Sequence, residues 1–102
     1  MAQIIWTEPA LQELDEIAEY MSLDNPTAAK NLVRKAIERV NLLAHHPESG
    51  KLTEQFENSV HREIVLPSCR IFYRAGDKYV YIIYVIRDEQ FLNVEILKAR
   101  NS

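Results

Sequence analysis

Cys69-Arg70-Ile71-Phe72-Tyr73-Arg74-Ala75-Gly76-Asp77-Lys78-Tyr79-Val80-Tyr81-Ile82-Ile83-Tyr84-Val85-Ile86-Arg87 is the stretch on which the fold turns. Two strand-like runs of period two, Cys69 to Ala75 and Tyr79 to Arg87, are divided by Gly76-Asp77. Glycine takes φ > 0 without steric cost, so Gly76-Asp77 fits a tight two-residue hairpin turn. Ala75 then pairs with Lys78, and the rest of the register follows. One face of this hairpin holds Cys69, Ile71, Tyr73, Val80, Ile82, Tyr84 and Ile86, with no charge among them. The other holds Arg70, Phe72, Arg74, Tyr79, Tyr81, Ile83, Val85 and Arg87. The uncharged face is the natural partner for packed helices. The arginine–aromatic face has two readings. Arginine and tyrosine are enriched where proteins meet partners; equally, an ordinary open sheet face carries arginines whose stems cover apolar surface and whose heads pair with Glu63 or Glu95.

Outward from the hairpin, His61 to Leu66 precedes it as a further strand-like run before Pro67-Ser68, and Phe91 to Leu97 follows Asp88-Glu89-Gln90 as another. Residues 47–58 are polar and irregular. Before them the period is helical. Asn25 caps and Pro26 opens a helix whose apolar stripe is Ala29, Leu32, Val33, Ala36, Ile37, Val40 and Leu43. It should end near His46, because Pro47 disfavours a helical residue before it. A preceding helix starts at Thr7 as cap with Pro9 in its first turn, and carries Ala10, Leu14, Ile17 and Met21 at helical spacing. Gln3-Ile4-Ile5-Trp6 is a short strand. A strand, an αα-hairpin over residues 8–46 and then several strands make an α+β domain: both helices packed on one face of an antiparallel sheet.

The chain has 102 residues and 11.9 kDa, which predicts one domain spanning 1–102. A hydrophobic content of 47% with 26% charged residues is that of a globular protein and argues against bulk disorder. The formal charge of −3 argues against a chain whose main task is coating nucleic acid. By halves, however, residues 1–50 hold 4 basic and 8 acidic side chains, and residues 51–102 hold 8 and 7. The acid is mostly helical and the arginines mostly on strands, so a sheet face can attract an acidic partner. The longest apolar run, Tyr79 to Ile86, is too short to cross a bilayer, no signal peptide is visible at Met1 to Trp6, and a cytoplasmic location is expected.

Little catalytic chemistry is present. Cys69 is the only cysteine, which excludes an internal disulfide and a thiolate zinc cluster; it reads as a small core residue on the helix-facing side. His45 and His46 point about 100° apart on a helix, poorly placed as joint metal ligands, and suit the helix C-terminus instead. His61, at a strand start beside arginines, is the one candidate general base, against the alternative of a solvated strand residue. No phosphate-binding glycine loop, nucleophile elbow or paired-carboxylate spacing occurs. No cofactor, no metal and no catalytic residue are expected.

The run Arg62-Glu63-Ile64-Val65-Leu66-Pro67-Ser68-Cys69-Arg70-Ile71-Phe72-Tyr73-Arg74 resembles the signature of the RelE/ParE toxin superfamily of type II toxin–antitoxin systems. Ile5-Trp6-Thr7 with Ala10, Leu14, Ile17 and Tyr20 is similar to the family's opening, Asn25-Pro26 with Ala28-Ala29 to its second-helix start, and Pro47-Glu48-Ser49-Gly50 to its loop. The likeness covers nearly the whole chain, in order, and implies the fold already read. It implies two modes. RelE-like members are ribosome-dependent mRNA endoribonucleases; ParE-like members bind DNA gyrase and poison it without catalysis. Here His61 and Glu63 stand where ribonuclease members carry lysines, Phe91 to Ser102 contains neither Tyr nor His, and Cys69 replaces a common tyrosine.

The Arg62-Glu63-Ile64 form resembles ParE-like members. The resemblance therefore implies a growth-inhibiting, plasmid-stabilising gyrase poison, with the mRNA endoribonuclease as the alternative. The expected charged face is Arg62, Arg70, Arg74 and Arg87 with Tyr81, and Lys98 and Arg100 extend it in an exposed tail. Expected partners are a cognate antitoxin, DNA gyrase, and operator DNA only through the antitoxin. A homodimer or a toxin–antitoxin hetero-oligomer is the expected assembly.

Overall fold

A computed structural model describes residues 1–53, 60–88 and 93–100. The order of elements is β1 (Gln3–Trp6), α1 (Glu8–Ser22), α2 (Pro26–Asn41) continued by a 3₁₀ turn at Leu42–Ala44, β2 (Lys51–Leu52), β3 (His61–Val65), β4 (Cys69–Ala75), β5 (Tyr79–Arg87) and α3 (Val94–Ala99). The sheet runs β1-β5-β4-β3-β2. β1 lies parallel to β5 and the other neighbours are antiparallel.

The helix starts follow the local chemistry only in part. The Asn25 side chain accepts from the Ala28 N–H at 3.0 Å, as the cap position requires. Thr7 occupies the α1 cap position, but its hydroxyl donates to the Ile82 carbonyl at 2.7 Å and caps nothing. It ties the end of β1 to β5 instead.

The αα-hairpin packs on one face of the sheet. Ala10, Leu14, Leu32, Ala36, Val40 and Leu43 meet Ile64, Cys69, Ile71, Tyr73, Val80, Ile82 and Val85 in one buried cluster. A second cluster lies on the opposite face, where Phe72, Ile83, Tyr84 and Ile86 enclose Leu97 of α3. The expected C-terminal strand is therefore corrected. Asn93 caps a six-residue helix by accepting from the Ile96 N–H, and Leu97 is fully buried; Phe91 and Leu92 lie outside the described residues. Lys51–Leu52, in a stretch read as irregular, forms a short edge strand.

The hairpin register is corrected too. Ala75 pairs with Val80, not Lys78, and the Gly76 N–H donates to the Tyr79 carbonyl at 2.8 Å, so the turn residues are Asp77 and Lys78. Tyr73 faces Ile82, yet Phe72 faces Tyr84, leaving Ile83 as an extra residue on β5. Such a β-bulge reverses the alternation beyond it. Tyr84 and Ile86 consequently turn to the outer face, and Val85 to the hairpin face.

Candidate functional site: the outer face of the sheet

The antiparallel register carries the site. β3 places Glu63 beside Phe72 and His61 beside Arg74; β5 places Tyr81 across from Arg74 and Tyr84 across from Phe72. Same-face neighbours on adjacent strands are within side-chain reach, directly or along the diagonal. Arg70 uses that diagonal: its Nη2 donates to Glu63 Oε2 at 2.8 Å, with side-chain exposures of 19% and 7%.

Both β4 arginines of this face, and Arg100 from the end of α3, lie over aromatic rings. Arg70 stands 5.1 Å from the Phe72 centroid, Arg74 5.3 Å from Tyr81 and Arg100 5.0 Å from Tyr84. Cation–π contacts of this kind favour the charged head while the ring sheds water. Arg74 Nε is buried without an acceptor among the described residues. His61 is only 2% exposed, so the strand-start histidine is neither solvated nor placed to take a proton from a bound substrate.

Of the seven residues expected to form one surface, Arg70, Arg74 and Tyr81 do. Arg62 faces the hairpin side across from Tyr73, where its Nη1 donates to the carbonyls of Gly50 at 2.8 Å and Glu48 at 3.1 Å. The Tyr73 hydroxyl donates to the Pro47 carbonyl and accepts from the Gly50 N–H. A Cβ at Gly50 would collide with that hydroxyl, so glycine is needed for the close approach. Arg62 thus holds a loop. Arg87 lies beyond the bulge and reaches α1, 5.6 Å from the Tyr20 ring. Lys98 is exposed on the last turn of α3. Arg100 is no loose tail residue: its Nη1 donates to Glu13 Oε1 at 2.8 Å and to the Ile83 carbonyl at 3.3 Å.

Glu13 was not singled out by the sequence, where it is one acid among several on α1. Its carboxylate also accepts from the Val85 N–H at 3.2 Å. β1 pairs with β5 only as far as Ile82. Beyond that point Glu13 and Arg100 supply, through side chains, partners for edge groups that no strand meets. Cys69 is buried in the core as expected, and burial, with Asp88 adding, pushes its thiol up to about 11 from 9.0. Burial likewise raises the Tyr73 hydroxyl. Among the described residues no group of three His, Cys, Asp or Glu side chains is placed to hold a metal ion, and no helix is long and apolar enough to cross a membrane.

An αα-hairpin packed on one side of a small sheet is a fold shared with solved toxin–antitoxin proteins. A chain of the chromosomal ParDE system from P. aeruginosa matches with a TM-score of 0.72 at 24% identity, covering 87% of this chain and 98% of that one. A chain of the RelBE2 complex from Mycobacterium tuberculosis matches with a TM-score of 0.58 at 20% identity, covering 84% and 96%. In sequence, residues 4–91 match the family described as the ParE toxin of type II toxin–antitoxin system, parDE. The chain belongs to this toxin family. It is 31% identical over 85 residues to Toxin RelE2 of Caulobacter vibrioides, covering 83% of this chain and 93% of that one. It is 43% identical over 92 residues to the putative toxin Y4kP of Sinorhizobium fredii, covering 90% and 84%.

Proposed function

We propose that this toxin arrests growth by binding DNA gyrase and trapping its cleavage complex, without catalysing a reaction of its own, and that a cognate antitoxin neutralises it. The observation that carries this reading is the Glu63–Arg70 pair. An arginine that grips a scissile phosphate must offer it an uncompensated charge. Here a carboxylate of 7% exposure holds the guanidinium at 2.8 Å, offsets its charge and repels a phosphate approaching the same spot. The buried His61 gives no accessible base. A protein partner, by contrast, is served by arginine–aromatic contacts that need no free charge.

Relatives solved as ParDE and RelBE systems support an antitoxin as partner. It would cover part of the outer face and the groove beside the αα-hairpin, and would supply the contacts to operator DNA. The site of action is cytoplasmic, where gyrase works on DNA. The ribosome-dependent mRNA endoribonuclease is the second reading, favoured by one observation: unlike Arg70, the half-buried Arg74 meets no carboxylate among the described residues and keeps an uncompensated charge over Tyr81.

One paired experiment separates them. Purified toxin is incubated with gyrase and supercoiled plasmid, and in parallel with translating ribosomes. Linear DNA accumulating in the first assay supports the gyrase reading. Cleavage of mRNA in the ribosomal A site, with gyrase unaffected, contradicts it.

A further inference from the structure

We propose that the outer surface of the αα-hairpin is a self-association face, and that its occupant is a second copy of this chain. Between α1 and α2, on the side away from the sheet, runs an open apolar groove. Leu11, 48% exposed, and the half-buried Val33 and Ile37 stand along it, while the small side chains of Ala18 and Ala29 form its floor. Small residues there let another helix approach closely.

The charges on the two rims are segregated. α1 contributes Glu8, Asp15 and Glu19 to the groove and no basic residue; α2 contributes Lys30 and Arg34. Among the described residues no ion pair joins one rim to the other, and Arg34 pairs only along its own helix, with Glu38 at 3.2 Å. The acidic and basic rims therefore face outward with their charges available to a partner.

This layout is self-complementary about one axis only. Asp15 and Glu19 line the same segment of groove as Lys30 and Arg34. A two-fold axis lying in the interface parallel to the helices sets α1 of one copy over α2 of the other without changing its height. Each acidic rim then meets the partner's basic rim, and does so twice, as an isologous contact requires. A two-fold axis perpendicular to the helices would stack α1 on α1, acid on acid. Helices of 15 and 16 residues give a face about 23 Å long and about 20 Å wide, on the order of 900 Å² buried over both copies. That is the size of a transient interface, so a reversible dimer in the micromolar range is expected. The inference is independent of whether gyrase or mRNA is the target.

The test uses the full chain in sedimentation equilibrium over a concentration series from sub-micromolar to millimolar. Wild type should dimerise reversibly. The variant Asp15→Lys with Glu19→Lys, and the variant Lys30→Glu with Arg34→Glu, should each weaken self-association by about ten-fold or more. Mixed together, the two should form a heterodimer as tight as wild type, because every reversed rim meets its reversed counterpart. That recovery also shows both variants to be folded. A wild type that stays monomeric, variants that dimerise as well as wild type, or a mixture that stays monomeric each overturns the proposal. So does a hairpin face that gains hydrogen-exchange protection only when antitoxin is added.

Discussion

The two faces of the sheet are built from the same strands and obey different rules. On the hairpin side, uncharged side chains of β3, β4 and β5 meet two long amphipathic helices, and the arginines that reach this side do structural work: Arg62 holds the 48–50 loop and Arg87 lies over Tyr20. On the outer side a six-residue helix covers part of the face through Leu97, and Arg70 and Arg74 remain with their aromatic partners. Arginine content alone does not mark a binding surface. The face on which an arginine emerges decides what it touches, and one bulge residue, Ile83, sets that face for everything after it on β5.

The contrast can be broken from either side. Ile82→Ala removes a fully buried side chain from the hairpin-side core and should lower global stability most, by about 3 kcal/mol, measured by denaturant unfolding. A loss below about 1 kcal/mol would mean that this cluster is not the main core. Next is Arg70→Ala, which strands Glu63 in a site of 7% side-chain exposure and should cost about 2–3 kcal/mol. Combining it with Glu63→Gln should recover part of that loss, since the carboxylate is then neutral; no recovery would show that Arg70 acts through its stem.

Leu97→Ala should behave differently from Ile82→Ala. α3 can detach without the hairpin, so hydrogen-exchange protection over 94–99 should vanish while global stability falls by about 1–2 kcal/mol. Equal losses in both measurements would make the two faces one cooperative unit.

The last effect is confined to alkaline pH. The Cys69 thiol sits up at about 11 in the folded chain against 9.0 when free. The unfolded chain therefore loses its proton first, so stability is intact below pH 9 and falls as pH rises from 9 toward 11. Tyr73, also raised, adds a decline of the same sign at higher pH. Cys69→Ala should flatten the lower part of that slope in denaturant titrations; an unchanged slope would assign it to other groups.

Much of this was legible in the residues. The stripe from Ala29 to Leu43, the Asn25-Pro26 start and the strands at Cys69–Ala75 and Tyr79–Arg87 follow from periodicity and caps, because each is a local preference that packing reinforces. Three features were not legible. Ile82 and Ile83 are chemically alike, so nothing local says which of them is the extra residue. Val94 to Leu97 reads as strand by composition, and becomes helix because Asn93 caps it and Leu97 finds a pocket on the outer face. Glu13 is distinguished only by where α1 crosses the β5 edge, a property of the assembled fold. The expected surface of seven residues narrowed to Arg70, Arg74 and Tyr81 for the same reason.

The outer face is proposed to meet gyrase. The most direct test is gyrase-mediated cleavage of supercoiled plasmid by wild type and by Arg74→Ala, a change that removes a cation over Tyr81 and leaves the Glu63–Arg70 pair in place. Wild type should accumulate linear DNA, and the variant, folded by circular dichroism, should need about ten-fold or more toxin for the same yield. Equal cleavage by both proteins, or no linear DNA from wild type, would contradict the account.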